Sequence, residues 1–110
     1  MIINFKDIEV SNLKNFKGGE GEVIANMFYD GTNRIFIARL KKGSSIGFHL
    51  HDVSSEIMYI LEGVATVKYN EDEIKYAYPG EVHYCKKGNM HSVSNTHDDD
   101  LVMLCVVPEQ

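Results

Sequence analysis

The side chains of this sequence best suited to chemistry are two histidines separated by one residue, His49 and His51. Residues i and i+2 of a β-strand share a face and lie about 6.5 Å apart along the strand, so the two imidazoles can bind one cation. Glu56 follows a turn-rich link, residues 52–55, that lets the chain reverse and return a carboxylate to the imidazoles. The stretch 49–56 therefore offers nitrogen and oxygen ligands together.

A fourth candidate ligand, His91, lies downstream, where a turn feeds a short predicted strand. Any one histidine on a strand is more often a surface or hydrogen-bonded core residue than a ligand, but four matched positions favour a site. Three neutral imidazoles and one carboxylate suit a divalent transition metal (Fe, Mn, Ni or Zn) and leave positions open on a metal that prefers six ligands. The sequence predicts a metal site for chemistry or for ligand capture.

Around these residues the sequence resembles the first motif of the cupin superfamily. Gly43 is followed after five residues by His49-x-His51, after four more by Glu56 and after six more by Gly63. The match holds at every position of the motif.

The second cupin motif is nearly complete. Gly80 is followed after five residues by Lys86-x-Gly88, after two more by His91 and after three more by Asn95. Lys86 stands where the family usually has proline, which would fix φ and stiffen the turn. The change affects the rigidity of the loop but removes no ligand.

The resemblance implies an all-β fold, the double-stranded β-helix or jelly-roll (cupin) barrel, in which His49, His51, Glu56 and His91 converge on one divalent metal. It also implies a single cupin domain over residues 1–110, with a metal-binding core at about residues 43–95.

Predicted strands and recurring turn signals fill the chain, and no long stretch has the 3.6-residue period of a helix. This pattern is typical of an all-β sandwich or barrel, with any helix short and near the N-terminus. The turn at residues 30–33 predicts a hairpin between strands 22–29 and 34–40, and Glu62-Gly63 predicts another between 56–61 and 64–69. Further strands are predicted at residues 73–78, 82–85, 90–95 and 101–107.

The strands at residues 57–61 and 101–107 are apolar at consecutive positions. Both faces must then be covered, one by the barrel interior and the other by a second sheet or a partner subunit. An uncovered apolar sheet face is unusual for a monomer. This pattern and the cupin resemblance together predict a homodimer that shares a sheet face or the N-terminal segment.

Candidate ligand-contacting residues follow from strand parity. Met58 and Ile60 share the parity of Glu56 and are expected to line the barrel beside the site. Because both faces of the last strand are apolar, periodicity does not show which face points inward. The side chains of Met103 and Cys105 have a modest and adaptable volume that suits a ligand cavity, so we expect these residues to face inward. Cys105 would then face the interior near the metal; the alternative is an inert thiol buried between sheets.

Two further residues have open alternatives. Arg39, a cation within an otherwise apolar strand, either binds a ligand carboxylate through its planar guanidinium or is an edge or surface arginine. His83 is most simply a strand or rim residue, with an acid-base or ligand-supporting role as the second interpretation. Ser54 and Ser55 are explained by turn chemistry.

Composition excludes several classes of function. With 44% hydrophobic residues, 25% charged residues and a net charge of −5, the chain is ordinary globular protein without the positive surface that nucleic acid requires. No apolar run approaches the ~20 residues of a membrane span, and the first ten residues do not resemble a secretion signal. Cys85 and Cys105 lack CxxC spacing and fit a reducing compartment. We expect a cytoplasmic protein that binds neither nucleic acid nor membrane.

Two hypotheses about function follow. The first is a metal-dependent enzyme, an isomerase, lyase or dioxygenase, that acts on a small oxygen-rich metabolite (a sugar derivative, keto acid or diketone) chelated at the metal. The second is a non-catalytic module that binds or senses such a molecule. The enzyme hypothesis lacks an obvious general base, because Glu56 is committed to the metal.

Overall fold

The computed structural model describes residues 1–71 and 73–110, which form two antiparallel β-sheets. Short 3-10 helices, Phe5–Asp7 and Phe16–Gly18, confirm the prediction that helices are short and N-terminal. The strands are β1 (Val10–Lys14), β2 (Glu22–Tyr29), β3 (Asn33–Leu40), β4 (Ser45–Leu50), β5 (Glu56–Glu62), β6 (Ala65–Tyr69), β7 (Lys75–Ala77), β8 (Val82–Cys85), β9 (Met90–Ser94) and β10 (Leu101–Pro108).

The larger sheet has the strand order β1-β2-β3-β10-β5-β8, and the smaller has the order β4-β9-β6-β7. The last strand, β10, is a central strand of the larger sheet, where it pairs with β3 on one side and β5 on the other. Within residues 1–71 and 73–110, no helix has the length and apolar character needed to span a membrane. The all-β architecture predicted from the sequence is confirmed.

Strand alternation directs one set of side chains into the space between the sheets. On β10 the inward set is the odd-numbered one, because Leu101, Met103 and Cys105 have no exposed surface and belong to the core. Leu104 is only partly buried. The predicted inward direction of the odd-numbered residues is therefore confirmed.

The hairpin predicted at residues 30–33 is present. Tyr29 of β2 pairs with Arg34 of β3. In the turn, the Asp30 carboxylate accepts hydrogen bonds from the backbone N–H groups of Thr32 and Asn33 at 3.0 and 2.8 Å. These bonds stabilise the ionised carboxylate and lower the pKa of Asp30 to about 2.

The hairpin predicted at Glu62-Gly63 is wrong. β5 pairs with β10 and β8 in the larger sheet, whereas β6 pairs with β9 and β7 in the smaller. Gly63 has φ +78°, and a Cβ there would clash with the backbone carbonyl of Asp100. The glycine therefore serves a close-packed crossover between the two sheets, which local turn chemistry does not distinguish from a hairpin.

Candidate metal centre

A β-bulge in β4 directs the two neighbouring histidines into the barrel. Ile46 pairs with Val93, but His49 pairs with His91, so one extra residue lies between the two pairings. The side chain of Ile46 is buried in the core. Without the bulge, strict alternation would point His49 away from that core; the extra residue restores the inward direction.

The bulge is held by close contact with the segment that precedes β2. A Cβ on Gly47 would clash with the backbone carbonyl of Lys17, and a Cβ on Gly19 would clash with that of Ser45. Only glycine permits such backbone approach at both positions. Packing of the second 3-10 helix against β4 thus fixes the part of the strand that carries the histidines.

The four predicted ligands converge. Nε2 of His51 lies 3.0 Å from Nε2 of His49 and 3.0 Å from Nε2 of His91. An oxygen of Glu56 lies 3.1 Å from Nε2 of His51 and 3.0 Å from Nε2 of His91. The four ligand atoms lie within 4.8 Å of one another.

These separations match the coordination sphere of a divalent ion. With metal–ligand bonds of about 2.1 Å, neighbouring ligands lie about 3.0 Å apart in an octahedron and about 3.4 Å apart in a tetrahedron. The observed separations of 3.0 to 3.1 Å fit neighbouring corners of an octahedron. Four protein ligands would leave two of six positions for other molecules.

The outward nitrogens of the first two imidazoles are also bound. Nδ1 of His49 lies 2.7 Å from the carbonyl oxygen of Gly47, and Nδ1 of His51 lies 2.9 Å from the hydroxyl of Ser54. A carbonyl oxygen only accepts, so His49 carries its proton on Nδ1 and presents the lone pair of Nε2 to the centre. Converging lone pairs repel one another unless a cation lies between them, so the donor set fits a metal ion.

The third imidazole is supported by another histidine. Nδ1 of His91 lies 2.9 Å from Nε2 of His83, and the two ring centroids are 5.1 Å apart. Burial and, to a smaller extent, the charges of His91 and His51 lower the pKa of His83 to about 4, against the opposing charge of Glu56. Burial likewise lowers the pKa of His49. Both rings are therefore neutral near pH 7.

Glu56 is the buried anion of the centre. Burial alone would raise its pKa, but hydrogen bonds and charge from His51 and His91 outweigh burial and lower the pKa to about 2. The side chain is only 5% exposed. Glu56 is therefore ionised near pH 7.

The centre opens into a cavity of about 400 Å³. Its wall includes His49, His51 and Glu56 together with an apolar set and several polar side chains, namely Leu13, Phe16, Lys17, Met27, Arg34, Phe36, Ile46, Leu50, Asp52, Val53, Ser54 and Val107. The volume suits a small metabolite.

The residues predicted to contact a ligand lie elsewhere. Met58, Ile60, Met103 and Cys105 have no exposed surface and pack in the hydrophobic core rather than in the described wall of the cavity. Burial, with a further contribution from the charge of Glu56, raises the pKa of the Cys105 thiol well above its usual range. Ligand contact through these four side chains stays a prediction.

Arg39 points to the surface. Its guanidinium is paired with the Asp100 carboxylate at 3.0 Å, and its side chain is 44% exposed. The arginine that lies in the cavity wall is Arg34, and Lys17 is a second cation there. Arg34 has the same parity on β3 as Phe36, which is buried in the core, whereas Arg39 has the opposite parity. This difference in parity is the sequence feature that distinguishes the two arginines.

Ser54 was likewise attributed only to turn chemistry, and its hydroxyl instead contacts the imidazole of His51. The spacing His51 to Ser54 carried no signal by itself, because serine is common in any turn.

Comparison with known proteins supports the fold. The family model described as Cupin domain matches residues 36–107. A protein of Thermotoga maritima called oxalate-binding protein is 32% identical over 114 residues, which cover 97% of this chain and 93% of that protein.

Two solved structures extend the comparison. The crystal structure of a predicted oxalate decarboxylase from Thermotoga maritima is 29% identical, covers 100% of both chains and has a TM-score of 0.90. A double-stranded β-helix protein from Klebsiella pneumoniae is 15% identical, with coverage of 98% of this chain and 84% of that one and a TM-score of 0.76, and shows the fold alone. The fold predicted from the motifs, the double-stranded β-helix, is thereby confirmed, and the chain belongs to the cupin family.

Proposed function

We propose that this protein binds one divalent transition metal ion, Fe, Mn, Ni or Zn, through His49, His51, Glu56 and His91, and that it captures a small chelating carboxylate at that metal. The observation that carries the proposal is the octahedral spacing of the four donors, three of which (His49, His51 and Glu56) lie in the wall of an accessible cavity. A 2-oxo acid, one of the keto acids expected from the sequence, suits two neighbouring open positions because it chelates through two oxygens, and oxalate chelates in the same way. The oxalate-binding relative supports the same ligand class.

Arg34 supports an anionic ligand. It pairs with Val107 across β3 and β10, while the neighbouring Val106 pairs with Ile57 of β5. Glu56, the residue before Ile57, therefore lies at the level of Arg34, two strand spacings or about 10 Å away. An arginine side chain is long enough to reach a ligand held between them.

Arg34 has no ion pair with a carboxylate of the described residues. Its guanidinium lies over the ring of Tyr29, 4.0 Å from the centroid, and donates to the sulfur of Met27 at 3.5 Å. These contacts hold the group at the cavity without neutralising its charge, so a ligand carboxylate can do so.

The chain would orient and shield the ligand while the metal supplies Lewis-acid polarisation of its oxygens. Phe36, Ile46 and Val107 form apolar parts of the cavity wall and exclude water from the ligand. Arg34 and Lys17 supply positive charge on the same wall.

The enzyme hypothesis, an isomerase, lyase or dioxygenase, becomes the second candidate. Asp52 favours it, because this carboxylate lies in the cavity wall next to His51 in sequence and is exposed, so it is free to move a proton. Product formation from a panel of oxalate, 2-oxo acids, diketones and sugar derivatives, with Fe²⁺, Mn²⁺, Ni²⁺ or Zn²⁺, tests this candidate. Turnover that is lost in Asp52→Asn would support it, and binding without turnover would favour the binding module.

Calorimetric titration of the Mn²⁺-loaded protein with oxalate tests the leading proposal. We expect one equivalent of oxalate to bind the loaded wild type and none to bind the metal-free protein. His97→Ala is the matched control, because His97 is an exposed histidine outside the cluster. Equal oxalate binding with and without metal would overturn the proposal.

We also propose that the protein is a homodimer formed through the outer face of the larger sheet. Large apolar side chains on this face are partly solvent-exposed: Ile57 37%, Tyr59 40%, Leu61 42%, Val82 53% and Tyr84 47%. A second copy of the same face would cover them. Light scattering on a size-exclusion column should give twice the 12.5 kDa of one chain, and a monomer at micromolar concentration would refute the dimer.

The cytoplasmic location expected from the sequence also remains a proposal. Both cysteines are free thiols buried in the fold, which supports a reducing compartment. Fractionation of cells that produce the protein tests the location.

A further inference from the structure

His91 differs from the other two clustered histidines in what contacts its outward nitrogen. The carbonyl of Gly47 and the hydroxyl of Ser54 serve the other two rings, whereas His91 contacts a second imidazole, that of His83. His91 has no exposed surface, so water does not replace this partner.

The position of His83 is set by β8. His83 pairs with Met58 of β5, so its side chain shares the inward face of the larger sheet with that core residue. From there its imidazole reaches across to His91 on β9 of the smaller sheet. The Tyr69 ring lies nearly perpendicular to the His83 ring, with the two centroids 5.8 Å apart.

Only one arrangement of protons in the hydrogen bond between His83 and His91 leaves His91 able to bind a metal. For Nε2 of His91 to present a lone pair to the centre, its proton must be on Nδ1. Nδ1 then donates to Nε2 of His83, which accepts only if His83 carries its own proton on its other nitrogen. In this arrangement Nε2 of His83 is occupied by His91 and is not available as a further ligand.

We propose that His83 is a positioning residue that fixes the tautomer and the ring orientation of His91 and thereby sets the metal affinity of the centre. The proposal rests on the proposed metal site but adds a residue outside the four ligands. Groups that bind the outward nitrogen of a metal-bound histidine typically contribute about 10- to 100-fold to metal affinity.

Two substitutions separate the acceptor from the volume of the side chain. His83→Gln keeps an acceptor oxygen at a similar distance from the backbone, and His83→Leu removes the acceptor while keeping an apolar side chain of similar reach. His97→Leu is the matched control, since His97 is an exposed histidine outside the cluster. Affinity for Co²⁺ is measured by competition with a coloured chelator, alongside the visible spectrum of bound Co²⁺ and the melting temperature of the metal-free protein.

We expect His83→Leu to weaken Co²⁺ binding by about 10- to 100-fold and to change the Co²⁺ spectrum. We expect His83→Gln and His97→Leu to stay within a few-fold of wild type. Equal weakening in His83→Gln and His83→Leu, or a loss of affinity that only follows a loss of metal-free stability, would overturn the positioning role. Unchanged affinity in His83→Leu would do the same, whereas failure of wild type to bind Co²⁺ would refute the metal site itself.

Discussion

Replacement of Glu56 by glutamine should change how the stability of the metal-free protein depends on pH. The pKa of Glu56 is lowered from an ordinary 4.5 to about 2 in the fold, because His51 and His91 contact its carboxylate. Since the folded pKa is the lower one, the unfolded chain binds the extra proton as the pH falls. The stabilising contribution is therefore complete above pH 4.5 and is lost between that pH and about 2.

The magnitude follows from the two pKa values. The difference between the pKa of 4.5 and the pKa of about 2 corresponds to about 3 kcal/mol in the free energy of unfolding. About 2 kcal/mol of this free energy is lost between pH 5 and pH 3. Wild type should lose this free energy of unfolding over that interval, and Glu56→Gln should not lose it. The difference in stability between the two proteins should accordingly shrink by about 2 kcal/mol as the pH falls from 5 to 3.

Urea unfolding of chelator-treated protein at pH 5, 4 and 3 measures this difference. Glu62→Gln is the matched control, because Glu62 lies on the same strand and is exposed. A constant difference between wild type and Glu56→Gln across these pH values would show that Glu56 does not interact with the histidines as described.

Three further predictions concern the cavity and the core. Arg34→Met should weaken oxalate binding to the Mn²⁺-loaded protein by about 10- to 100-fold, as expected for loss of a charge-assisted hydrogen bond. Arg39→Met should leave oxalate binding unchanged. Equal effects of the two substitutions in calorimetry would show that Arg34 does not bind the ligand. Met103→Ala should lower the free energy of unfolding by about 2 to 5 kcal/mol in urea titrations, because Met103 is fully buried; a loss below about 1 kcal/mol would contradict its place in the core. Cys105, which has no exposed surface and a raised pKa, should react with a thiol reagent only when the protein unfolds, and fast labelling of the native protein would show that the barrel interior is accessible.

The convergence of the four side chains was predictable from sequence because its signal is local. His49, His51 and Glu56 lie within eight residues, and His91 follows a turn motif whose spacing is equally distinctive. The opposite parity of His49 and Ile46 is visible in the sequence, but the bulge that compensates for it is not. The bulge depends on the close approach of Gly47 to a segment about thirty residues earlier in the chain.

Other features depend on contacts between distant strands and were not predictable locally. Glu62-Gly63 has the chemistry of a hairpin turn, but the pairing of β5 with β10 decides that the chain crosses to the other sheet. Arg34 and Arg39 have opposite parity on β3. The strand pattern alone does not show that Arg34 is the arginine that lies level with Glu56 across the sheet. The support of His91 by His83 joins two sheets and has no signature in sequence spacing.

The most direct test of the metal centre is the metal content of purified protein after exposure to Mn²⁺ or Co²⁺ and removal of the excess. Wild type and His97→Ala should each retain one equivalent, and the double variant His49→Ala/His91→Ala should retain none, because only the double variant loses two of the four converging ligands. Stoichiometric metal in that double variant, or none in wild type, would contradict the assignment of His49, His51, Glu56 and His91 as the metal ligands.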